Sequence, residues 1–74
     1  MSKNYCFQLT LNGKYFNIFH FQQLTLHHLL SFFNYKINLI VVEYNGRIIS
    51  PNFYKKTYIL NNSNIEIVTI VGGG

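Results

Sequence analysis

The residues of this chain best suited to chemistry are its last four, Val71-Gly72-Gly73-Gly74, which follow an apolar run from Ile65 to Ile70. Consecutive glycines are costly to order and pack nothing. A small domain gains from ending in them when the terminal carboxylate itself is used, because a strand without side chains threads readily into another protein's active site. A frayed end is the plainer alternative, since termini are commonly loose. Other reactive types are sparse. Glu43 and Glu66 are the only carboxylate side chains and there is no Asp, so no Ser-His-Asp set can be assembled and paired acid–base catalysis is not expected. His27 and His28 are adjacent, pointing about 100° apart on a helix, which suits exposed helix residues better than ligands of one metal ion. Cys6 reads as an inert thiol and Lys55-Lys56 as a solvated pair.

Composition narrows the classes further. Seventy-four residues allow one small domain, spanning 1–74, with 70–74 as an extended tail. A domain this small buries roughly 60% of its unfolded surface. The chain compensates with 49% hydrophobic and 18% aromatic residues against 11% charged. A solitary cysteine forms no internal disulfide, which points to a reducing compartment. No signal peptide, membrane span or structural zinc site is expected. The net charge of +4 arises as much from scarce acids as from plentiful bases, and only Lys55 and Lys56 are contiguous. Attraction to an acidic partner fits this balance; a nucleic-acid patch does not follow from it. The wealth of Asn, Ile, Phe, Tyr and Lys suits an AT-rich coding genome such as an organelle's, so the cytoplasm or the plastid stroma is the expected compartment.

Several elements must position the tail. Residues 5–11 alternate, with Tyr5, Phe7, Leu9 and Leu11 on one face. Asn12-Gly13 then signals a type I′ turn, which pairs Leu11 with Lys14 and places Phe16 and Ile18 on the core face, with Tyr15 and Phe19 opposite. The result is a hairpin over about 4–20. Thr25 suits a helix N-cap, and Leu26, Leu29, Leu30 and Phe33 form one apolar stripe. Phe32 lies off that stripe and is expected to border the core, and Asn34 to stop the helix. Residues 39–44 read as a strand, Asn45-Gly46 as a second tight turn, and Arg47-Ile48-Ile49 as the return. Pro51 ends that segment, Phe53 is expected to anchor the following crossing, and 58–60 form a brief strand or turn. Asn61-Asn62-Ser63-Asn64 is a polar turn before a last strand at 65–70. This order predicts an α+β fold, a β-grasp roll whose mixed sheet packs on one helix, with the last strand inside the sheet beside the first and a flexible C-terminal glycine tail.

With those elements placed, the chain resembles the ThiS family, the ubiquitin-like sulfur carriers of thiamin thiazole synthesis. The resemblance covers nearly the whole chain in element order and is sharpest from Thr25 onward. Thr25-Leu26-His27-His28-Leu29-Leu30 is similar to the family's helix start, and Val41 to Ile49 to its strand–Asn-Gly–strand segment. Pro51 and Phe53 stand where the family has a basic or proline residue and an aromatic. Ile65 through Gly74 matches its C-terminal signature. Two departures stand out: Asn62-Ser63-Asn64 replaces the family's Asp-Gly-Asp turn, and the chain is basic where many such carriers are acidic.

The resemblance implies a carrier, a co-substrate rather than an enzyme. A ThiF-type enzyme would adenylate the Gly74 carboxylate with Mg-ATP, and sulfur from a persulfide donor would displace AMP. The product is a thiocarboxylate from which a ThiG-type thiazole synthase takes sulfur. No cofactor is permanently bound; ATP belongs to the activating enzyme. Gly73 and Gly72 keep the tail slim and Val71 guides its exit. Val68, Ile70, Tyr15 and Phe19 are expected on an outward apolar face that docks the partners. A monomer is expected, with neither nucleic acid nor membrane as partner. Competing functions are a molybdopterin-type sulfur carrier, a ubiquitin-like modifier joined to lysines, and a small basic nucleic-acid-binding domain.

Overall fold

The computed structural model describes residues 5–70. Strands β1 (Tyr5–Leu11) and β2 (Lys14–His20) form the expected hairpin, with Leu11 opposite Lys14. Asn12 and Gly13 take φ of 52° and 82°, the left-handed pair that a type I′ turn requires. Helix α1 (Leu26–Phe32) follows, then a 3₁₀ turn at Ile37–Leu39, β3 (Ile40–Tyr44) and β4 (Arg47–Ile49). A second 3₁₀ turn at Pro51–Phe53 leads into a loop and the last strand, β5 (Ser63–Thr69). The five strands are ordered β2-β1-β5-β3-β4, so β5 lies in the centre, parallel to β1 and antiparallel to β3. This is the β-grasp arrangement that the element order predicts. Among the described residues no helix is long and apolar enough to cross a membrane.

One face of the sheet closes on the helix. Leu9, Val42 and Ile65 from the strands and Leu26, Leu29 and Leu30 from α1 are wholly buried against one another. At ~25 cal/mol per Å² of apolar surface removed from water, such side chains contribute about 1.5–3 kcal/mol each before entropy is counted. The helix is short, and its start is held by tertiary bonds. Thr25 Oγ1 accepts the His28 N–H at 3.2 Å, and the His28 ring nitrogen Nδ1 accepts the Thr25 N–H at 3.1 Å, a capping box with histidine in the place usually held by Glu or Gln. The Leu26 and His27 N–H groups reach the Thr57 and Tyr54 carbonyls at 2.9 and 3.1 Å. Every donor of the first turn therefore has a partner.

Four expectations need correction. Phe53 does not anchor the crossing; it is exposed, and Tyr54, at 2% exposure, fills that place with Ile59 and Leu24 beside it. The 3₁₀ turn at Pro51 rotates the residue after Phe53 inward. Phe32 stands exposed rather than at the core, because Phe33 continues the stripe and packs edge-on against Phe16, with ring centres 5.3 Å apart. His27 and His28 are half-buried, not exposed, since the helix start lies under the 54–59 loop. Leu39 belongs to the 3₁₀ turn, while β5 starts two residues early at Ser63, after Asn62 turns the chain with φ of 62°.

Candidate functional site: the outer sheet face and the emerging last strand

The tail residues Val71, Gly72, Gly73 and Gly74 lie outside the described residues. The strand that presents them is fixed closely. Asparagines at both hairpin turns reach onto its backbone: Asn12 Oδ1 accepts the Ile67 N–H at 2.7 Å and Asn45 Oδ1 accepts the Asn64 N–H at 2.7 Å. Each turn also bonds β5 through its main chain, Asn12 N–H to the Ile65 carbonyl and Asn45 N–H to the Asn64 carbonyl. The same residue type thus satisfies the positive φ and clamps the central strand. At the strand's start, the Tyr44 hydroxyl accepts the Leu60 N–H at 2.9 Å and pairs with the Ser63 hydroxyl at 2.9 Å. At its far end, the Ile70 N–H reaches the Leu39 carbonyl at 2.6 Å. Pairing with β1 stops at Ile65, so the last turns of β5 lean on β3 alone.

Val68, Ile70, Tyr15 and Phe19 are all exposed, on the sheet face away from the helix. The register does not gather them. Tyr15 lies in the row of Thr10 and Asn64, Val68 four residues beyond that row, and Phe19 four residues before it, opposite Cys6. At ~3.3 Å per residue, Val68 and Phe19 are roughly 26 Å apart along the strands. What surrounds Val68 instead is its cross-strand partner Val41, then Ile70, and one row back Glu66, Glu43 and Ile48 side by side. Ile48 is 72% exposed. The tail end of the outer face is therefore an apolar cluster beside the chain's only two carboxylate side chains. Like charges directly opposite on neighbouring strands oppose folding.

Sequence patterning missed Val41, Glu43, Ile48 and Glu66 as a group. Alternation along β3 and the Asn45-Gly46 turn do place Glu43 opposite Ile48, but the β3–β5 register that brings in Glu66 is a long-range pairing. Among the described residues no group of three or more His, Cys, Asp and Glu is gathered to hold a metal ion. Cys6 is exposed and unpaired. His28 sits where burial, then the nearby His20 and His27, push its ring below the usual histidine pKa.

This β-grasp sheet, with its last strand at the centre, is the fold class of the ubiquitin-like proteins, which include the sulfur carriers. The ThiS family profile matches residues 9–74, and the chain belongs to that family. The crystal structure of the thiamine biosynthesis protein ThiS from Geobacter metallireducens superposes with a TM-score of 0.78 at 26% identity, covering 90% of this chain and 99% of that one. Two relatives are called uncharacterized protein ycf40. One, from Trieres chinensis, is 49% identical over 51 residues, 69% of this chain and 70% of the relative. The other, from Porphyra purpurea, is 34% identical over 74 residues, covering 100% of this chain and 99% of the relative.

Proposed function

We propose that the chain carries sulfur on its C-terminal carboxylate for thiamin thiazole synthesis, as a co-substrate of other enzymes. The observation that supports this most is the family match running through Gly74, joined to a β5 clamped at Asn64 and Ile67 by the asparagines of the two hairpin turns. A Gly74 carboxylate oxygen attacks the α-phosphorus of Mg-ATP bound to a ThiF-type enzyme, and pyrophosphate leaves. The terminal sulfur of a persulfide donor then attacks the acyl carbon and AMP leaves. A thiol cleaves the acyl disulfide, giving the thiocarboxylate and a new disulfide. A ThiG-type synthase passes the sulfur to its substrate, and an oxygen from water or from the substrate's carbonyl takes its place on the acyl carbon, restoring the carboxylate. The protein contributes geometry: a tail without Cβ atoms at Gly72 to Gly74 for a narrow channel, and a rigid base for it.

The cluster of Val41, Ile48, Val68 and Ile70 is the docking surface in this scheme, with Glu43 and Glu66 meeting a basic group of the partner. Such pairing would compensate the repulsion between the two carboxylates, which the isolated fold bears. Tyr15 and Phe19, roughly 13 and 26 Å from Val68 along the strands, lie outside this cluster. A reducing compartment, the cytoplasm or the plastid stroma, belongs to the same proposal and suits the unpaired, exposed Cys6.

The test is intact-mass spectrometry after incubation with a ThiF-type enzyme, Mg-ATP and a persulfide donor. Replacement of one oxygen by sulfur, localised to Gly74, is expected. An isopeptide-linked product in its place would make the protein a modifier. An unchanged mass with a demonstrably active enzyme would remove the carrier function. Deleting Gly73 and Gly74 should abolish activation and leave the unfolding transition in place.

A further inference from the structure

The two edges of the sheet are unequal. β4 has three residues and runs into Pro51, the short, proline-blunted edge that proteins use to prevent pairing. β2 has seven residues, Lys-Tyr-Phe-Asn-Ile-Phe-His, with no proline and one full charge at its turn end. Among the described residues it pairs only with β1. Because the two-residue turn makes Leu11 and Lys14 a hydrogen-bonded pair, the pairs Leu9–Phe16 and Phe7–Ile18 bond inward as well. The N–H and C=O groups of Tyr15, Asn17 and Phe19 consequently point away from β1, and among the described residues no side chain caps them. That is a row of three unpaired donor–acceptor positions.

Beside this row lies an open groove of about 690 Å³ between β2 and α1. Its walls are mostly aromatic and aliphatic: Phe16 and Ile18 from the strand, Leu29, Phe32 and Phe33 from the helix side. Phe32 is 70% exposed, a large apolar rim that no described residue covers. We infer that the β2 edge and this groove bind an extended apolar segment of an acidic partner protein, which adds a sixth strand to the sheet. The unpaired backbone row requires a strand rather than a helix. Alternate side chains of that strand fall toward α1 and fill the groove. Charge sets the partner's flanks: no carboxylate side chain occurs from Tyr5 to Val42, Lys14 stands at the turn end, and the whole chain carries +4. The same charge opposes a second copy of this chain on the edge. This surface is two strands away from β5, so it leaves the tail and the Val68 cluster free while it is occupied.

The experiment uses the full chain and a fluorescein-labelled peptide with a Val-Ile-Val-Ile centre flanked by Asp on both sides. Saturable binding is expected, with slowed amide exchange at Tyr15, Asn17 and Phe19, and at least tenfold weaker binding when the flanks are Lys. Asn17→Pro removes one edge donor at a position where proline is tolerated, and Phe32→Ser removes an exposed rim. Each should weaken binding at least tenfold while the circular dichroism spectrum is kept. Deletion of Gly73 and Gly74 should leave binding unchanged, which separates this site from the carrier chemistry. The inference is overturned by absence of binding up to about 1 mM, the weak limit of specific association. It is equally overturned by protection appearing at Val41 and Val68 instead, or by concentration-dependent dimers that occupy β2 without peptide.

Discussion

His28 closes the helix start only as a neutral ring, because its Nδ1 must accept the Thr25 N–H. Protonation would turn that acceptor into a donor facing a donor. Burial first, then His20 from the end of β2 and His27 from the helix, already hold its pKa below the ordinary value; Lys55 lines the same hollow. The folded state thus binds fewer protons than the unfolded chain once pH drops below about 6.5. Its stabilising effect is complete above that pH and declines as pH falls through the lowered value. Thermal unfolding followed between about pH 8 and pH 5 should show a falling midpoint on the acid side. His28→Gln keeps an acceptor for Thr25 and should flatten that limb; an unchanged acid limb would assign it to other groups. The sequence shows Thr25 as a cap plainly. The capping role of His28 was legible only as a spacing, three residues on, with a residue type not usually enlisted for it.

At the scale of elements, the turn asparagines decide how firmly β5 is held. Asn12 supplies both a left-handed backbone and the acceptor for the Ile67 N–H. Asn12→Gly keeps the backbone and loses the acceptor, and should cost about 1 kcal/mol in denaturant unfolding. Asn12→Ala loses both and should cost about 1–2 kcal/mol more, since a Cβ at positive φ is strained. Equal losses in the two variants would show that the turn conformation contributes little. The Asn-Gly pairs announced both hairpins because a local φ requirement is written in local residues. Their second function, clamping a strand more than fifty residues away in the case of Asn12, has no local signature.

At the scale of the whole molecule, a buried core carries stability and one sheet face is left open. Ile65 is wholly buried in the central strand, so Ile65→Ala should cost about 2–5 kcal/mol, measured by denaturant unfolding. On the other face, Glu66→Gln relieves the repulsion opposite Glu43 and should stabilise the fold by about 0.2–1 kcal/mol. It should also raise the KM of the activating enzyme for this substrate, with kcat nearly unchanged, because docking is removed and chemistry is not. Gains in stability and in activation together would show that the carboxylate pair has no partner. Val68→Glu, in the middle of the apolar cluster, should raise KM by roughly tenfold or more at constant stability.

Periodicity and turn chemistry in the sequence determined the hairpins, the helix with its cap, the last strand and the order of these elements along the chain, because those depend on residues within a few positions of one another. The resemblance of Ile65 to Gly74 to the ThiS family was legible there as well. Only the tertiary structure decided that Tyr54 rather than Phe53 fills the crossing, that Phe32 rims an open groove, and that Glu43 faces Glu66. It alone separated Phe19 from Val68 by the length of the sheet. The first two depend on how a 3₁₀ turn and the end of the helix seat against the core; the strand cases depend on the register of strands distant in sequence, where a single-residue slip moves every side chain of a strand to the other face. Long-range pairing is chosen by the packing of the whole core, so no local run of residues encodes it.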